Sequence, residues 1–226
     1  MLKKVNVSLY SKSDKSKLNI LINALIVIIA VIVICEIAFS ATYSGIYVVG
    51  TSMNDTLIGA TVETEPGGDY VYVNRHAKPT YGDVVVVFKD DRFTIIKRVV
   101  AFGGDSVKLI DGVLYIRYAG SEEFQLVEES YVSPEHNTGK GPQKISFPIE
   151  NGFVKEEGFF VKEGHMFLLG DNRDVSLDSR ESGGRSYSLN DLYGVVTKWS
   201  LKHKSFFTSL HKYFDYDLPR YFGIKK

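Results

Sequence analysis

Ser52 sits in Gly50-Thr51-Ser52-Met53-Asn54-Asp55-Thr56-Leu57, and Lys97 follows 45 positions later in Thr94-Ile95-Ile96-Lys97-Arg98-Val99-Val100. A hydroxyl is a poor nucleophile until a base removes its proton. Gly50 permits close backbone approach or unusual dihedrals beside this serine. Met53 and Leu57 have the right character to wall a small apolar pocket. If 94–100 is a strand, Lys97 shares a face with Ile95 and Val99. Desolvation in such company disfavours the ammonium, lowers the pKa and leaves an amine that serves as a base near neutrality. An edge-strand lysine pointing into water fits the same periodicity. The first alternative gives acyl transfer by a serine nucleophile and a neutral lysine base.

Histidine is the usual rival base. His76, His136, His165, His203 and His211 stand in no recognisable acid–base motif, and a Gly-x-Ser-x-Gly elbow is absent. A Ser-His-Asp triad assembled in space stays open. A third motif, Gly170-Asp171-Asn172-Arg173-Asp174-Val175-Ser176-Leu177-Asp178-Ser179-Arg180, follows the apolar run 166–169. Arg173 and Val175 occupy positions where a calcium loop needs oxygen ligands, so that reading fails. Asp171, Asp174 and Asp178 can pair with Arg173 and Arg180. Such density suits a hydrogen-bonded scaffold under a site, although a solvated charged turn has the same composition.

These groups need a framework. Strand-like runs occur at 45–49, 70–73, 83–88, 93–100, 107–109 and 113–117, divided by Pro66-Gly67-Gly68-Asp69, Pro79 to Asp83, Gly103-Gly104-Asp105 and Asp111-Gly112. Asp-Gly between apolar runs signals a hairpin. Residues 189–199 read equally as helix or as turn plus strand. Residues 119–151 are polar and rich in Pro and Gly, the loop-rich heart of an insertion over 106–164. The 14 Tyr and 14 Phe, with many Val and Ile, favour pleated, half-buried surfaces. The expected fold is mainly β: an antiparallel catalytic core over 41–105 and 165–226, with a smaller inserted β/loop subdomain. The aromatic- and lysine-rich stretch 201–226, including Phe206, Phe207, Tyr213, Phe214, Tyr221 and Phe222, reads as an interfacial membrane contact or as a packed tail.

The N-terminal segment is the strongest regional signal. Residues 24–35 are continuously apolar, within a stretch of 18–40 that is long enough to span about 30 Å as a helix. Lys3, Lys4, Lys12, Lys15 and Lys17 lie in the tail 1–17, so the positive-inside rule puts the N-terminus in the cytoplasm and the body outside. Ala38-Phe39-Ser40 has the form of a signal cleavage site, but the apolar stretch exceeds a usual signal core, which favours a retained anchor. Acidic and basic side chains balance at 27 each, so no global field draws in nucleic acid. Cys35 is the single cysteine, which excludes an intramolecular disulfide and a cysteine-rich zinc site.

Taken in order, the Ser-Met box (52–57), the segment Tyr81-Gly82-Asp83-Val84-Val85-Val86, the lysine box (Lys97-Arg98-Val99-Val100, continuing to Gly104-Asp105) and the 170–180 motif resemble the bacterial type I signal peptidases. These are membrane-bound serine–lysine endopeptidases that remove signal peptides from exported preproteins. The resemblance spans 45–200, and the single anchor is similar to the Gram-positive form. It implies Ser52 as nucleophile, Lys97 as general base and Ser176 as a hydrogen-bonding partner that orients the amine. Asp178 and Arg180 would brace the site, with Asp171 and Arg98 as further supports. The Ser52 amide would supply part of an oxyanion hole. Gly50 stands where some members carry a serine as a second donor. Val48, Met53, Leu57, Ile95 and Ile96 would contribute to pockets for small substrate side chains. It also implies a mainly monomeric, single-pass cell-membrane enzyme with the bilayer and preprotein signal peptides as partners, and neither metal nor cofactor.

Asp55 departs from the usual proline of the Ser-Met box, and Ala101 and Gly103 depart from glycine and proline in the lysine box. Proline loss loosens a turn and bears on pocket shape and substrate range. Rival readings are a self-cleaving serine–lysine repressor, a catalytically silent relative that binds exported proteins, and an anchored surface module with no site. The anchor opposes the first, the joint presence of Ser52 and Lys97 opposes the second, and the third leaves the 170–180 motif unexplained.

Overall fold

The computed structural model describes residues 12–61, 67–89, 93–141 and 145–217. Lys3 and Lys4 of the basic tail, Pro66 of one turn signal, and Tyr221 and Phe222 of the aromatic stretch lie outside the described residues. The chain divides into two compact units, Met1–Tyr43 and Ser44–Lys226.

In the first unit, Lys12–Thr42 forms one helix, α1. Its segment Ser16–Thr42 is long and apolar enough to cross a membrane. Ile20, Leu21, Leu25, Ile26, Val31 and Ile37 are all exposed, and at helical spacing they point in every direction rather than along one stripe. A helix that is apolar all round suits a bilayer or a deep protein core. The Ser40 and Thr42 hydroxyls donate to the Glu36 and Ala38 carbonyls, which satisfies the polar end of the helix internally.

The remainder is mainly strand. The strands are β1 (Tyr43–Tyr47), β2 (Tyr70–Asn74), β3 (Val84–Phe88), β4 (Thr94–Phe102), β5 (Ser106–Ile110), β6 (Val113–Arg117), β7 (Gln125–Leu126), β8 (Ile149–Glu150), β9 (Phe153–Val154), β10 (Phe159–Phe160), β11 (His165–Leu169), β12 (Tyr187–Ser188) and β13 (Leu192–Val196). The large sheet has the order β1-β2-β13-β3-β4-β11-β12, and a smaller one has β10-β5-β6-β7. The ladders β2/β13, β13/β3, β3/β4, β4/β11 and β11/β12 are antiparallel.

The valine run of β3 explains why the large sheet is covered on both faces. Val84 and Val86 pack with Val48, Met53 and Leu57, while Val85 and Val87 pack with Val99, Met166 and Leu168. A strand buried on one face would alternate apolar with polar residues; this one does not. A third cluster joins β5 and β6 to the large sheet, because Val107, Leu109, Leu114 and Ile116 pack against Val100, Ala101, Phe167 and Leu169. The Asp111-Gly112 signal closes the β5–β6 hairpin, with φ of 49° and 82° at the two turn residues. Both positive values belong to the turn type whose twist matches a two-residue hairpin.

The ambiguous 189–199 segment resolves as turn plus strand. A 3-10 turn, Leu189–Asp191, is capped by the Ser188 hydroxyl and leads into β13. Two helices follow: α2 (Lys198–Lys202), with Thr197 as N-cap, and α3 (Lys204–Lys212). In α3, Thr208, His211 and Phe207 face β2, whereas Phe206 and Leu210 are exposed.

Candidate active site

Ser52 lies in a tight bend after β1. The Asn54 amide donates to Thr51 O, and the Thr56 and Leu57 amides donate to Met53 O. Met53 and Leu57 are fully buried in the core and pin the bend to the large sheet. Each burial contributes about 1.5–3 kcal/mol. The Ser52 carbonyl accepts the Asn172 amide at 3.1 Å, which joins the bend to the 170–180 motif. Gly170 makes that approach possible. A Cβ there would stand 2.4 Å from Ser52 O and 2.1 Å from Ser176 Oγ, so only glycine fits.

Lys97 reaches the serine from β4, opposite Val85 of β3. Its Nζ lies 2.7 Å from Ser52 Oγ and donates to Ile96 O at 2.8 Å. The side chain is 4% exposed, so it is not the water-facing alternative. Burial is the largest influence on the amine and lowers its pKa from 10.5 to about 8; Asp178, Asp171 and Glu181 pull it upward, and Lys89 pushes it down. Asp171 and Asp178 do not reverse the desolvation because their charges are engaged by Arg98 and Arg180.

Those arginines tie the motifs together. Arg98 donates Nε and Nη2 to the Asp171 carboxylate at 2.8 and 2.6 Å, and also reaches Gly82 O and Thr56 Oγ1. Its guanidinium lies 3.8 Å from the centre of the Tyr131 ring. Tyr131 Oη donates to Glu129, whose carboxylate pairs with the fully buried Arg173. Arg180 holds Asp178 through Nε and Nη2 at 2.9 Å each, and Asp178 accepts the Gly170 amide. Asp174 accepts the Thr138 and Gly139 amides and the Thr138 hydroxyl.

The pairing within 170–180 is therefore narrower than its composition suggests. Asp178–Arg180 is internal, whereas Asp171, Arg173 and Asp174 each reach outward to a different part of the chain. Ser176 is fully buried beside Gly170, but its hydroxyl hydrogen-bonds no described residue, Lys97 included. No histidine lines the site among the described residues; His136 pairs with Asp55, and His211 stacks on Tyr70.

A cavity of about 280 Å³ opens beside the serine, lined by Ile46, Tyr47, Val48, Val49, Val86, Thr94, Ile95 and Ile96 together with Ser52 and Lys97. Val48, Ile95 and Ile96 thus border the space next to Ser52. Met53 and Leu57 do not: their side chains point into the core below, which is what a bend anchored at two apolar residues requires. Thr56, Glu129, Tyr131, Asn172 and Lys204 also hold the site, and sequence reading passed over them. Glu129 and Tyr131 sit in a polar stretch without periodicity, and Lys204 lies 148 positions from its partner Thr56. His, Cys, Asp and Glu form no metal-holding group among the described residues.

A sequence model of the family described as "Signal peptidase, peptidase S26" matches residues 19–200. The chain is 33% identical over 124 residues to a signal peptidase I of Rickettsia bellii (strain OSU 85-389), covering 45% of this chain and 41% of that protein. It is 28% identical over 171 residues to signal peptidase I of Streptococcus pneumoniae serotype 4, covering 67% of this chain and 79% of that protein. The match thus spans about two fifths of the length of the two Rickettsia bellii relatives. A crystal structure of a signal peptidase I from Enterococcus faecalis V583 is 25% identical, with a TM-score of 0.40, covering 54% of this chain and 98% of that chain. The family match runs from within the apolar helix, through β13, into α2, so it contains the serine bend, the lysine strand and the 170–180 motif; the chain belongs to the signal peptidase family, peptidase S26.

Proposed function

We propose that this chain is a membrane-anchored endopeptidase that removes N-terminal signal peptides from exported preproteins. The observation that carries this reading is the 2.7 Å contact between Ser52 Oγ and the buried Lys97 amine, next to an open cavity. Lys97 in its neutral form takes the Ser52 proton, and the oxygen attacks the scissile carbonyl. The protonated amine gives that proton to the leaving amine, and water, activated by the same lysine, releases the acyl group. The Ser52 amide, which donates to no described residue, faces the developing oxyanion. Arg98–Asp171 and Arg180–Asp178 hold the bend, strand and loop in register.

The cavity's small volume and its walls of Ile46, Val48, Ile95 and Ile96 suit small apolar side chains of an extended peptide. Such a peptide would lie between 46–49 and 94–97 and add main-chain hydrogen bonds there. In this reading α1 is a retained single-pass anchor with the catalytic body outside the cytoplasm, residues 106–164 form an inserted subdomain, and the protein works as a monomer. Cleavage of a model preprotein tests it. Wild type is expected to release the signal peptide, while Ser52→Ala and Lys97→Ala, folded, lose about 10³-fold or more. Equal processing by all three rejects the reading.

A further inference from the structure

The family match ends at residue 200, yet the next helix reaches back to the serine bend. Lys204, the first residue of α3, donates from Nζ to the Thr56 carbonyl at 2.7 Å and to Asp69 Oδ2 at 2.9 Å. Thr56 is four residues from the nucleophile, and its amide closes the bend onto Met53. Its hydroxyl is already held by Arg98, the residue after the lysine base. The same Asp69 oxygen accepts the Ile58 amide at 2.8 Å, and the Asp69 carbonyl accepts the amide of Val48 in the cavity wall at 2.9 Å. One lysine thus fixes the exit of the serine bend and, through Asp69, the adjoining wall.

The helix that carries Lys204 is itself locked in place. Thr208 Oγ1 accepts the Tyr70 amide at 2.7 Å. The His211 ring stacks on Tyr70 with centroids 3.6 Å apart, and its Nε2 is 2.9 Å from Tyr72 Oη. Beyond the helix, Asp215 accepts a hydrogen bond from Tyr47, another residue of the cavity wall. Thr208 and His211 hold α3 against β2, and Asp215 ties the segment after the helix to β1, so Lys204 starts from a fixed base.

We infer that α3 is a brace of the active site and that Lys204 is a positioning residue for Ser52, acting through the Thr56 carbonyl. The inference rests on the peptidase reading for its kinetic consequence but not for its structural one. Lys204 does not touch the serine oxygen; it sets where the bend stands relative to Lys97. A misplacement of about 1 Å costs up to about 100-fold in rate. Loss of a group that acts only on nucleophile position lowers kcat and leaves KM near its original value.

The full chain in detergent micelles, with the substitutions Lys204→Met and Lys204→Arg, tests this. Lys204→Met keeps the apolar stem and removes the donors. It is expected to lower kcat on a model preprotein about 10- to 100-fold with little change in KM. Amide hydrogen exchange at Asn54, Thr56 and Leu57 is expected to speed up in the same variant while exchange in β3 and β4 stays unchanged. Lys204→Arg, which retains a cationic donor, is expected to recover much of both losses. If Lys204→Met does not fold, Lys204→Gln is read in the same way. Unchanged exchange in the bend overturns the brace, and so does a rise in KM at constant kcat. Wild type that leaves the preprotein uncut while Lys204→Met still loosens the bend overturns the peptidase reading and leaves the brace standing.

Discussion

Asp55 Oδ1 lies 2.6 Å from His136 Nδ1, and Asp55 Oδ2 accepts the Ser133 amide at 2.9 Å. The Ser52 bend is thereby bolted to a loop nearly eighty residues away. Asp55 has φ of 105°, a value no proline can take. The bend here is held by tertiary contacts, where a proline would need a different backbone. Asp55→Pro is expected to destabilise by more than about 1 kcal/mol and to lower activity, rather than to restore a family-like turn. Asp55→Asn, which tolerates positive φ and keeps an acceptor, is expected to do less. Thermal unfolding and preprotein cleavage of the two variants check the order.

Arg98 of β4 and Asp171 form a buried, two-bonded ion pair. Removing one partner strands the other charge. Asp171→Asn is expected to cost about 3–5 kcal/mol in denaturant unfolding. Arg98→Lys is not a conservative change here, because a single ammonium cannot serve Asp171, Gly82 O and Thr56 Oγ1 together. Its stability is expected to fall toward that of Asp171→Asn, and the double variant to fall by less than the sum of the two.

The depressed lysine leaves a signature in stability as well as in rate. Unfolded, Lys97 titrates near 10.5; folded, near 8. Between these values the unfolded chain binds the extra proton, so stability rises with pH across that window. Below pH 8 the folded protein carries the whole cost of a buried ammonium, of the order of 3 kcal/mol. Lys97→Met removes this pH dependence. Its stability relative to wild type is expected to be greatest at pH 7 and to shrink steadily as pH rises from about 8 to 10.5, as urea unfolding at a series of pH values would show.

Gly170 is squeezed between the Ser52 carbonyl and Ser176. Gly170→Ala is expected to destabilise by about 1–3 kcal/mol and to lower kcat about 100-fold by shifting Ser52. Adding Ser176→Ala removes the hydroxyl clash but not the 2.4 Å approach to Ser52 O. The kinetic loss is therefore expected to persist in the double variant. Recovery of full activity there would locate the clash elsewhere.

The legible parts of the sequence were those with local signals. The apolar run announced α1, Asp111-Gly112 announced a hairpin, and alternation placed Lys97 in a strand among Ile95 and Val99. What escaped depended on contacts between distant segments. Met53 and Leu57 looked like pocket walls because apolar residues near a nucleophile have no label saying core or cavity; packing with Val48, Val71 and Val84 decides it. Glu129 and Tyr131 carry no periodicity, yet they complete the Arg98–Arg173 network. The α3 brace escaped because a nine-residue helix rich in lysines and aromatics reads the same whether it packs on a sheet or lies on a surface.

The central claim is that burial lowers the Lys97 pKa far enough for its neutral amine to act as the base. A carbon-13 NMR titration of the lysine side chains in the full chain tests it directly, with the Lys97 signal identified by its loss in Lys97→Arg. The expected midpoint is about 8, coinciding with the pH at which preprotein cleavage reaches half its maximum rate. A midpoint near the ordinary 10.5, with cleavage already at full rate at pH 7, would contradict it.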